Sequence, residues 1–185
     1  MPELFLVYNI ENMKYAVMSD THDNLYNFEK AVEKIKAEHI ETCFHLGDFC
    51  APSMFRAMAA HKDLDWICVW GNVDGAKAKI ILDFSTEGNI NLTDESFREF
   101  DVPEGKVFLA HFPLLSENAA KSGKYIAAFY GDNHTKKVEK IKDQVLLANP
   151  GELTGTATGQ PSFGIWDSAK NDFEIIDLKD SIVAR

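Results

Sequence analysis

Short apolar runs recur along the chain, and each ends abruptly at a glycine or a polar residue. The runs are rich in aromatic and β-branched residues and have the length of buried strands. They cover residues 15–18, 42–46, 66–70, 107–110 and 126–130. Between the early runs, one helical stripe is formed by Leu25, Phe28, Val32 and Ile35. Residues 53–60 and 76–83 are shorter helix candidates, and this alternation of strand and helix predicts parallel βαβ units.

The second half of the chain is richer in strand patterns than the first. Residues 97–101 and 106–110 predict a hairpin around Val102-Pro103-Glu104-Gly105. Further strands are predicted at 137–147, 162–167 and 173–178, and one helix near 116–122. We therefore expect residues 1–185 to form one mixed α/β domain, with two sheets face to face and helices outside them.

Residues 1–12 precede Met13-Lys14-Tyr15, which reads like a natural chain start. Two interpretations stay open for this segment. It is either an N-terminal extension or an added edge strand from Leu4 to Tyr8.

Composition and charge narrow the functional classes. With 29 acidic residues against 19 Lys and Arg, the formal net charge is −10. This balance argues against non-specific nucleic-acid binding, which needs a basic surface. Three cysteines without a CxxC spacing indicate a reducing compartment, and no apolar window is long enough to span a membrane. We expect a cytoplasmic protein.

Polar residues follow five strand-like runs at the point where each run ends. In parallel α/β sheets, ligands bind beyond the carboxyl ends of the strands, where side chains from separate strands meet. We therefore expect one polar cluster, which consists of Asp20, His22, Asp48, Asn72, His111, Asp132 and His134.

The chemistry of this cluster points to metal ions. Three carboxylates packed together repel one another, and divalent cations remove this conflict. The mixture of carboxylate, amide and imidazole without a thiolate suits manganese, which we favour, or nickel, iron, zinc or cobalt. The number of ligands exceeds the needs of one tetrahedral ion and suits two divalent metal ions that share a bridging carboxylate.

The candidate ligands stand in an ordered series: Asp20-x-His22, Gly47-Asp48, Gly71-Asn72-x-Asp74, His111 and Gly131-x-x-His134. This series resembles the calcineurin-like metallophosphoesterases, and most of all their small single-domain bacterial and archaeal phosphodiesterase branch. His45-Leu46-Gly47-Asp48 and Asn149-Pro150-Gly151 sharpen the match, which extends from Met13 to about Leu178. The resemblance implies an α/β fold, a four-layer α/β/β/α sandwich of two mixed sheets flanked by helices.

The resemblance also implies a role for each residue. The implied metal ligands are Asp20, His22 and His134 for the first ion, Asn72, His111 and Asp132 for the second, and Asp48 as the bridge. The residues expected to act in catalysis are Asp48, Asn72 and His111. Substrate binding is assigned to Asn24 and Asn72, with helix N-capping as the alternative for Asn24. A hydroxide that bridges the two ions would attack phosphorus in line.

The chain departs from the family pattern at two of these positions. The family usually has His where this chain has Asp132, so the extra negative charge is expected to weaken attraction for an anionic diester. The alternative is that Asp132 points away and leaves the second site weak or empty. Many relatives also place a leaving-group acid where this chain has Val73, so no such acid can be assigned.

Two further acidic residues lie next to the motifs. Asp74 is expected to orient His22 or Asn72 rather than to act as an acid. Glu152 follows Asn149-Pro150-Gly151, and it is expected either to disfavour anionic substrates or to face water.

These observations predict a dinuclear metal-dependent phosphoesterase that acts on a small phosphodiester. No membrane contact is expected, and a homo-oligomer is left open. One alternative is a metal-binding scaffold of the same fold with little catalysis, similar to a eukaryotic retromer subunit. Another is a phosphomonoesterase, although the chain shows no extra Arg or Lys clearly placed to bind a dianionic monoester.

Overall fold

The computed structural model describes residues 14–93 and 95–179. The strands of its first sheet are β1 (Lys14–Met18), β2 (Thr42–His45), β3 (Asp65–Cys68), β4 (Ile90–Leu92), β10 (Ser162–Asp167) and β11 (Asp172–Asp177). The strands of the second sheet are β5 (Phe97–Val102), β6 (Gly105–Ala110), β7 (Ala127–Phe129), β8 (Lys137–Ile141) and β9 (Val145–Asn149).

Both sheets are mixed. The first has the order β11-β10-β1-β2-β3-β4, in which β1 to β4 run parallel, β10 pairs antiparallel with β1, and β11 pairs antiparallel with β10. The second has the order β5-β6-β7-β9-β8, with β6, β7 and β9 parallel and an antiparallel strand at each edge. The parallel strands therefore lie next to one another in each sheet, and their carboxyl ends carry the connecting loops.

Among residues 14–93 and 95–179, three helices cover the first sheet and one covers the second. Their bounds are α1 (Leu25–Ala37), α2 (Pro52–Ala60), α3 (Lys77–Phe84) and α4 (Pro113–Ser122). Phe28 of α1 and Phe55 of α2 share an apolar cluster with Trp66 of the first sheet. Ala120 of α4 packs with Phe108 and Leu147 of the second sheet. None of the described helices is long and apolar enough to cross a membrane.

A separate apolar cluster fills the space between the two sheets. In β1, Tyr15 and Val17 belong to this central cluster, whereas Ala16 and Met18 face the helices. This alternation follows from the two-residue period of a strand, since both faces of the sheet are covered. Phe129 of the second sheet meets the central layer from the other side. The layers are therefore helix, sheet, sheet and helix, which confirms the predicted sandwich.

One prediction about individual elements is wrong, and one strand was not predicted. Residues 137–147 form not one strand but the hairpin of β8 and β9, because Lys142 and Asp143 turn the chain with φ of +52° and +59°. The short strand β4 was not predicted, since its three residues carry too little pattern. The interpretations of residues 1–12 lie outside the described residues.

Candidate metal centre

Most of the predicted ligands sit on backbone in the left-handed region. The φ values are +54° at Asp20, +42° at His22, +58° at Asp48, +67° at Asp132 and +57° at His134. Non-glycine residues rarely adopt this region, and those that do cluster at functional sites. Here each left-handed residue turns the chain sharply just after a strand, which aims its side chain at the common rim.

The first group of donors surrounds Asp20 at the end of β1. The Asp20 carboxylate is fully buried, and its Oδ1 lies 3.2 Å from His134 Nε2 and 3.8 Å from His22 Nε2. His22 Nε2 is also 3.6 Å from Asp48 Oδ2. Within the described chain, Asp20 Oδ1 and His22 Nε2 are buried without a hydrogen-bond partner. Two neighbouring buried polar atoms without partners are costly unless something binds between them.

The second group surrounds His111 at the end of β6. His111 Nε2 lies 2.9 Å from Asn72 Oδ1, 3.4 Å from Asp48 Oδ1 and 3.7 Å from Asp132 Oδ1. Its Nδ1 donates to the Leu46 carbonyl at 2.8 Å, so Nε2 is the atom left for the site. The structure thus brings all seven predicted ligands to one rim, with Asn72 exposed to solvent and Asp132 about one-third exposed.

Asp48 lies between the two groups and contacts both. Its Oδ2 faces His22 and its Oδ1 faces His111, while the Val73 N–H donates to Oδ1 at 3.1 Å. Gly71 makes room for this carboxylate, because a Cβ there would stand 2.0 Å from Asp48 Oδ1. Asp48 is therefore positioned to serve two ions at once.

Electrostatics hold the acidic groups in their charged forms. Burial raises the pKa of Asp20, but His134 and His22 outweigh it and lower that pKa well below its usual range. The pKa of Asp48 is likewise lowered, since His111 outweighs burial. The pKa of His134 is raised to about 9, chiefly by Asp20. Without metal, the histidines therefore take the place of cations beside the carboxylates.

The donor set fits divalent metal ions. Asp20, His22 and His134 offer atoms within 4.8 Å of one another, and so do Asp20, Asp48 and His111. Oxygen and nitrogen atoms at such separations leave room for an ion with bonds of about 2.0–2.2 Å. Carboxylate and imidazole donors are those that divalent transition metals accept. The residues present therefore suit divalent metals.

Asp74 supports the site through the backbone, and its predicted contact with His22 or Asn72 is wrong. Its carboxylate accepts the N–H groups of Asp48, Phe49, Cys50 and Gly71, at distances of 2.6–3.1 Å. The sequence could not reveal these contacts, because every residue except proline carries a backbone amide donor. Asp74 therefore fixes the loop that carries Asp48 rather than a ligand side chain.

Glu152 is fully buried, so the expectation that it faces water is wrong. Its Oε2 lies 2.9 Å from His134 Nδ1, and its Oε1 accepts the Thr158 hydroxyl at 2.8 Å. Sequence reasoning missed this contact, and the only signal was the position of Glu152 directly after the Asn149-Pro150-Gly151 turn. The carboxylate therefore contacts His134, a predicted metal ligand, on the side of the ring that faces away from the site.

Other residues near the rim are held by local contacts. Asn24 caps α1 by accepting the Asn27 N–H at 3.1 Å, and its amide donates to the Thr154 carbonyl at 3.1 Å. Its role in substrate binding stays a prediction. His45 is fully buried, stacks on Phe49 and has its pKa lowered to about 3 by burial, so it is a neutral packing residue.

An open apolar groove adjoins the second group. It has a volume of about 520 Å³ and is lined by Phe112, Pro113, Leu114, Leu115 and Asp132. Leu114 is 65% exposed there, which leaves apolar surface directly beside a predicted ligand. Val73, next to Asn72, is a second exposed apolar side chain at 44%.

The comparisons with known proteins agree with this geometry. The model of the calcineurin-like phosphoesterase superfamily domain matches residues 13–171. Phosphodiesterase MJ0936 of Methanocaldococcus jannaschii is 36% identical over 172 residues, which cover 90% of this chain and all of that protein. A solved structure described as a novel archaeal phosphodiesterase superposes with a TM-score of 0.77 at 36% identity, over 90% of this chain and all of the other.

A more distant structure shares the fold alone. A single mutant of Vps29 from Entamoeba histolytica superposes with a TM-score of 0.61 at 15% identity, over 90% of this chain and all of that one. The family model and the 36% identical relative each cover most of the chain. The chain therefore belongs to the calcineurin-like phosphoesterase superfamily and is a hydrolytic phosphoesterase.

Proposed function

We propose that this phosphoesterase hydrolyses a small phosphodiester with two divalent metal ions, manganese first among the candidates. One observation carries the proposal. The donor atoms of Asp20, His22, Asp48, His111 and His134 converge on one rim, where Asp20 Oδ1 and His22 Nε2 lie buried without a hydrogen-bond partner in the described chain. The phosphodiesterase of M. jannaschii, 36% identical over its whole length, supports the diester as the substrate class.

Each group of donors would hold one ion. Asp20, His22 and His134 would bind the first, and Asn72, His111 and Asp132 the second. Asp48 would bridge, because its two oxygens face different histidines. When bound, the two ions supply the activation of the attacking water and neutralise negative charge on the phosphoryl oxygens.

The protein's own residues then bind and orient the diester. Asn72 is exposed beside His111, so its amide can reach a phosphoryl oxygen as well as an ion. His111 keeps Nε2 directed at the site because Nδ1 donates to Leu46. With Val73 in the position of the leaving-group acid, the enzyme would favour esters whose leaving group needs no proton. One substituent of the diester would lie in the groove of Phe112 and Leu114.

Asp132 would weaken the attraction for an anionic diester. It stands where relatives have a neutral histidine, and it adds one negative charge beside His111. The Asp132 carboxylate reaches to within 3.7 Å of His111 Nε2, which favours a ligand role over the alternative that it points away.

Hydrolysis of bis(4-nitrophenyl) phosphate by purified protein tests the proposal. We expect activity with Mn²⁺, loss of that activity after EDTA treatment, and its return when Mn²⁺ is added back. Metal analysis of the active protein should give two ions per chain. A protein that binds metal but leaves every diester and monoester intact would instead be the scaffold, and faster cleavage of 4-nitrophenyl phosphate would favour the monoesterase.

A further inference from the structure

Glu152 is a buried carboxylate that the proposed reaction does not use. Its side chain is shielded from solvent, and burial of a charge is costly unless donors surround it. Oε1 accepts the N–H of Ala157 at 3.0 Å and both the N–H and the hydroxyl of Thr158, at 2.5 and 2.8 Å. Oε2 is 2.9 Å from His134 Nδ1. Every one of these partners can be a donor, so the ionised carboxylate is the form that satisfies them.

This contact determines which nitrogen of His134 faces the metal centre. When Nδ1 donates its proton to Glu152, the lone pair is left on Nε2. Nε2 lies on the opposite side of the ring, 3.2 Å from Asp20 Oδ1. A carboxylate behind a ligating histidine fixes the tautomer and the ring orientation and strengthens the histidine as a ligand.

The backbone on both sides of Glu152 is fixed, and this determines the orientation of its side chain. Gly151 precedes it with φ of +84°, and the next two residues pair with the turn that carries Asp20. In that pairing the Leu153 N–H donates to the Ser19 carbonyl and the Thr154 N–H to the Asp20 carbonyl, both at 3.0 Å. Residues 152–154 therefore contact both His134 and the turn that carries Asp20.

The loop of residues 155–160 is attached to the same carboxylate. Its residues 156–160 are exposed, and its Ala157 and Thr158 donate to Glu152. The Ser162 N–H closes the base of the loop by donating to the Glu152 carbonyl at 2.9 Å. Glu152 thus stands between a surface loop and a metal ligand: Oε1 accepts from Ala157 and Thr158, and Oε2 contacts His134 and also accepts the Ala157 N–H at 3.2 Å.

We infer that Glu152 is a positioning residue, which locks His134 in its Nδ1–H tautomer for the first ion and couples that ion's affinity to the loop 155–160. This inference rests on the proposed metal centre. It differs from a merely structural role because it requires that metal affinity fall when the carboxylate loses one of its two partners.

Mn²⁺ titration of Glu152→Gln, followed by the EPR signal of the free ion, tests the inference. Glutamine keeps the shape but offers only one acceptor oxygen, so it loses its contact either with His134 Nδ1 or with the amide and hydroxyl of Thr158. We expect one of the two Mn²⁺ sites to weaken about 10- to 100-fold. The matched control is Asp23→Asn, which removes a carboxylate from the β1–α1 turn, where Asp23 accepts a hydrogen bond from Ser53. The control should bind Mn²⁺ within about twofold of the wild type.

Imidazole ¹H–¹⁵N spectra of the wild-type, Zn²⁺-loaded protein give a second test that does not depend on a variant folding. The His134 signals, assigned with His134→Gln, should show a protonated Nδ1. Unchanged Mn²⁺ affinity in Glu152→Gln, or a proton on Nε2 of His134, would overturn the inference while the proposed function stands. Wild-type protein that binds no Mn²⁺ would overturn both.

Discussion

The two halves of the metal centre are built differently. Around Asp20, the donors are buried or partly buried, Asp20 Oδ1 and His22 Nε2 lack hydrogen-bond partners in the described chain, and a second carboxylate contacts His134. Around His111, the amide of Asn72 is exposed, Asp132 is about one-third exposed, and the His111 ring already contacts Asn72. The first half is enclosed and the second borders an open apolar groove.

This contrast suggests different tasks for the two halves: the enclosed half would hold an ion, and the open half would admit the substrate. An enclosed site can keep its geometry without ligand, since buried charges are fixed by their partners. An open site can exchange water or substrate, and its residues have fewer contacts to hold them. We therefore expect the first half to bind its ion more tightly and the second to determine which diester is cleaved.

The largest effect is expected from the residue that the two halves share. Asp48→Asn removes the charge from the bridging residue, and we expect Mn²⁺-dependent diester hydrolysis to fall by more than about 100-fold. This loss exceeds the effect of about 10- to 100-fold that is typical of residues that contact a metal ligand but not the metal. The measurement is kcat/KM at saturating Mn²⁺, with circular dichroism to show that the fold is kept. Full activity in a folded variant would contradict the assignment of Asp48.

Glycines next to two of the carboxylates allow the shared bridge and the first half to be disturbed separately. A Cβ at Gly71 would lie 2.0 Å from Asp48 Oδ1, and one at Gly131 would lie 2.7 Å from Asp20 Oδ2 and 1.9 Å from Ser19 Oγ. We expect Gly71→Ala to lower kcat/KM by about 100-fold or more, and Gly131→Ala chiefly to weaken the first Mn²⁺ site. Gly88→Ala is the control, because a Cβ there meets nothing within 4 Å. Equal activity in all three variants would contradict the expectation that a Cβ at Gly71 or Gly131 displaces the neighbouring carboxylate.

Asp132→His tests whether the charge of an exposed residue in the second half influences the reaction. Restoring a neutral ligand removes a negative charge beside the phosphate, so we expect diester hydrolysis to rise severalfold or its pH optimum to fall. Activity as a function of pH, in protein that contains both metal ions, provides the measurement. If neither the rate nor the optimum changes, Asp132 does not influence the reaction through its charge.

The smallest effect is a pH dependence of stability in the metal-free protein. The pKa of His134 is about 9 when folded, above its ordinary value of 6.5, chiefly because of Asp20. Its contribution to stability is complete below pH 6.5 and is lost as the pH rises through 9. After allowance for solvent screening, the free energy of unfolding should fall by about 1 kcal/mol across this window. Urea unfolding of wild type and His134→Gln should show this decline only in the wild type.

Much of the fold was predictable because the pattern of this chain is local and regular. Apolar runs with sharp polar ends predicted the buried parallel strands, and the order of strands and helices predicted the layers. The hairpin of β8 and β9 was missed, because its polar turn at Lys142 and Asp143 lies between two runs that look continuous. Edges of sheets are partly exposed, so their alternation is weak.

The candidate ligands were also accessible from sequence, for a geometric reason. Residues that follow parallel strands meet at one edge of their sheet, so their positions along the chain predict that they assemble, and the two stacked sheets bring their two sets of ligands to the same rim. The contacts of Asp74 and Glu152 were not accessible in this way. Asp74 acts on backbone amides up to 26 residues away, and these amides are present in every sequence.

By itself, the sequence determined the layered fold, the family and the seven polar residues that meet at the rim. Each of these depends on a repeating local rule, either the period of a strand or the position of its end. Only the tertiary structure decided that one half of the centre is enclosed and the other open, and that Glu152 stands behind His134. Burial of Glu152 depends on the loop of Ala157 and Thr158 folding back over it, which is a contact between surfaces rather than a pattern along the chain.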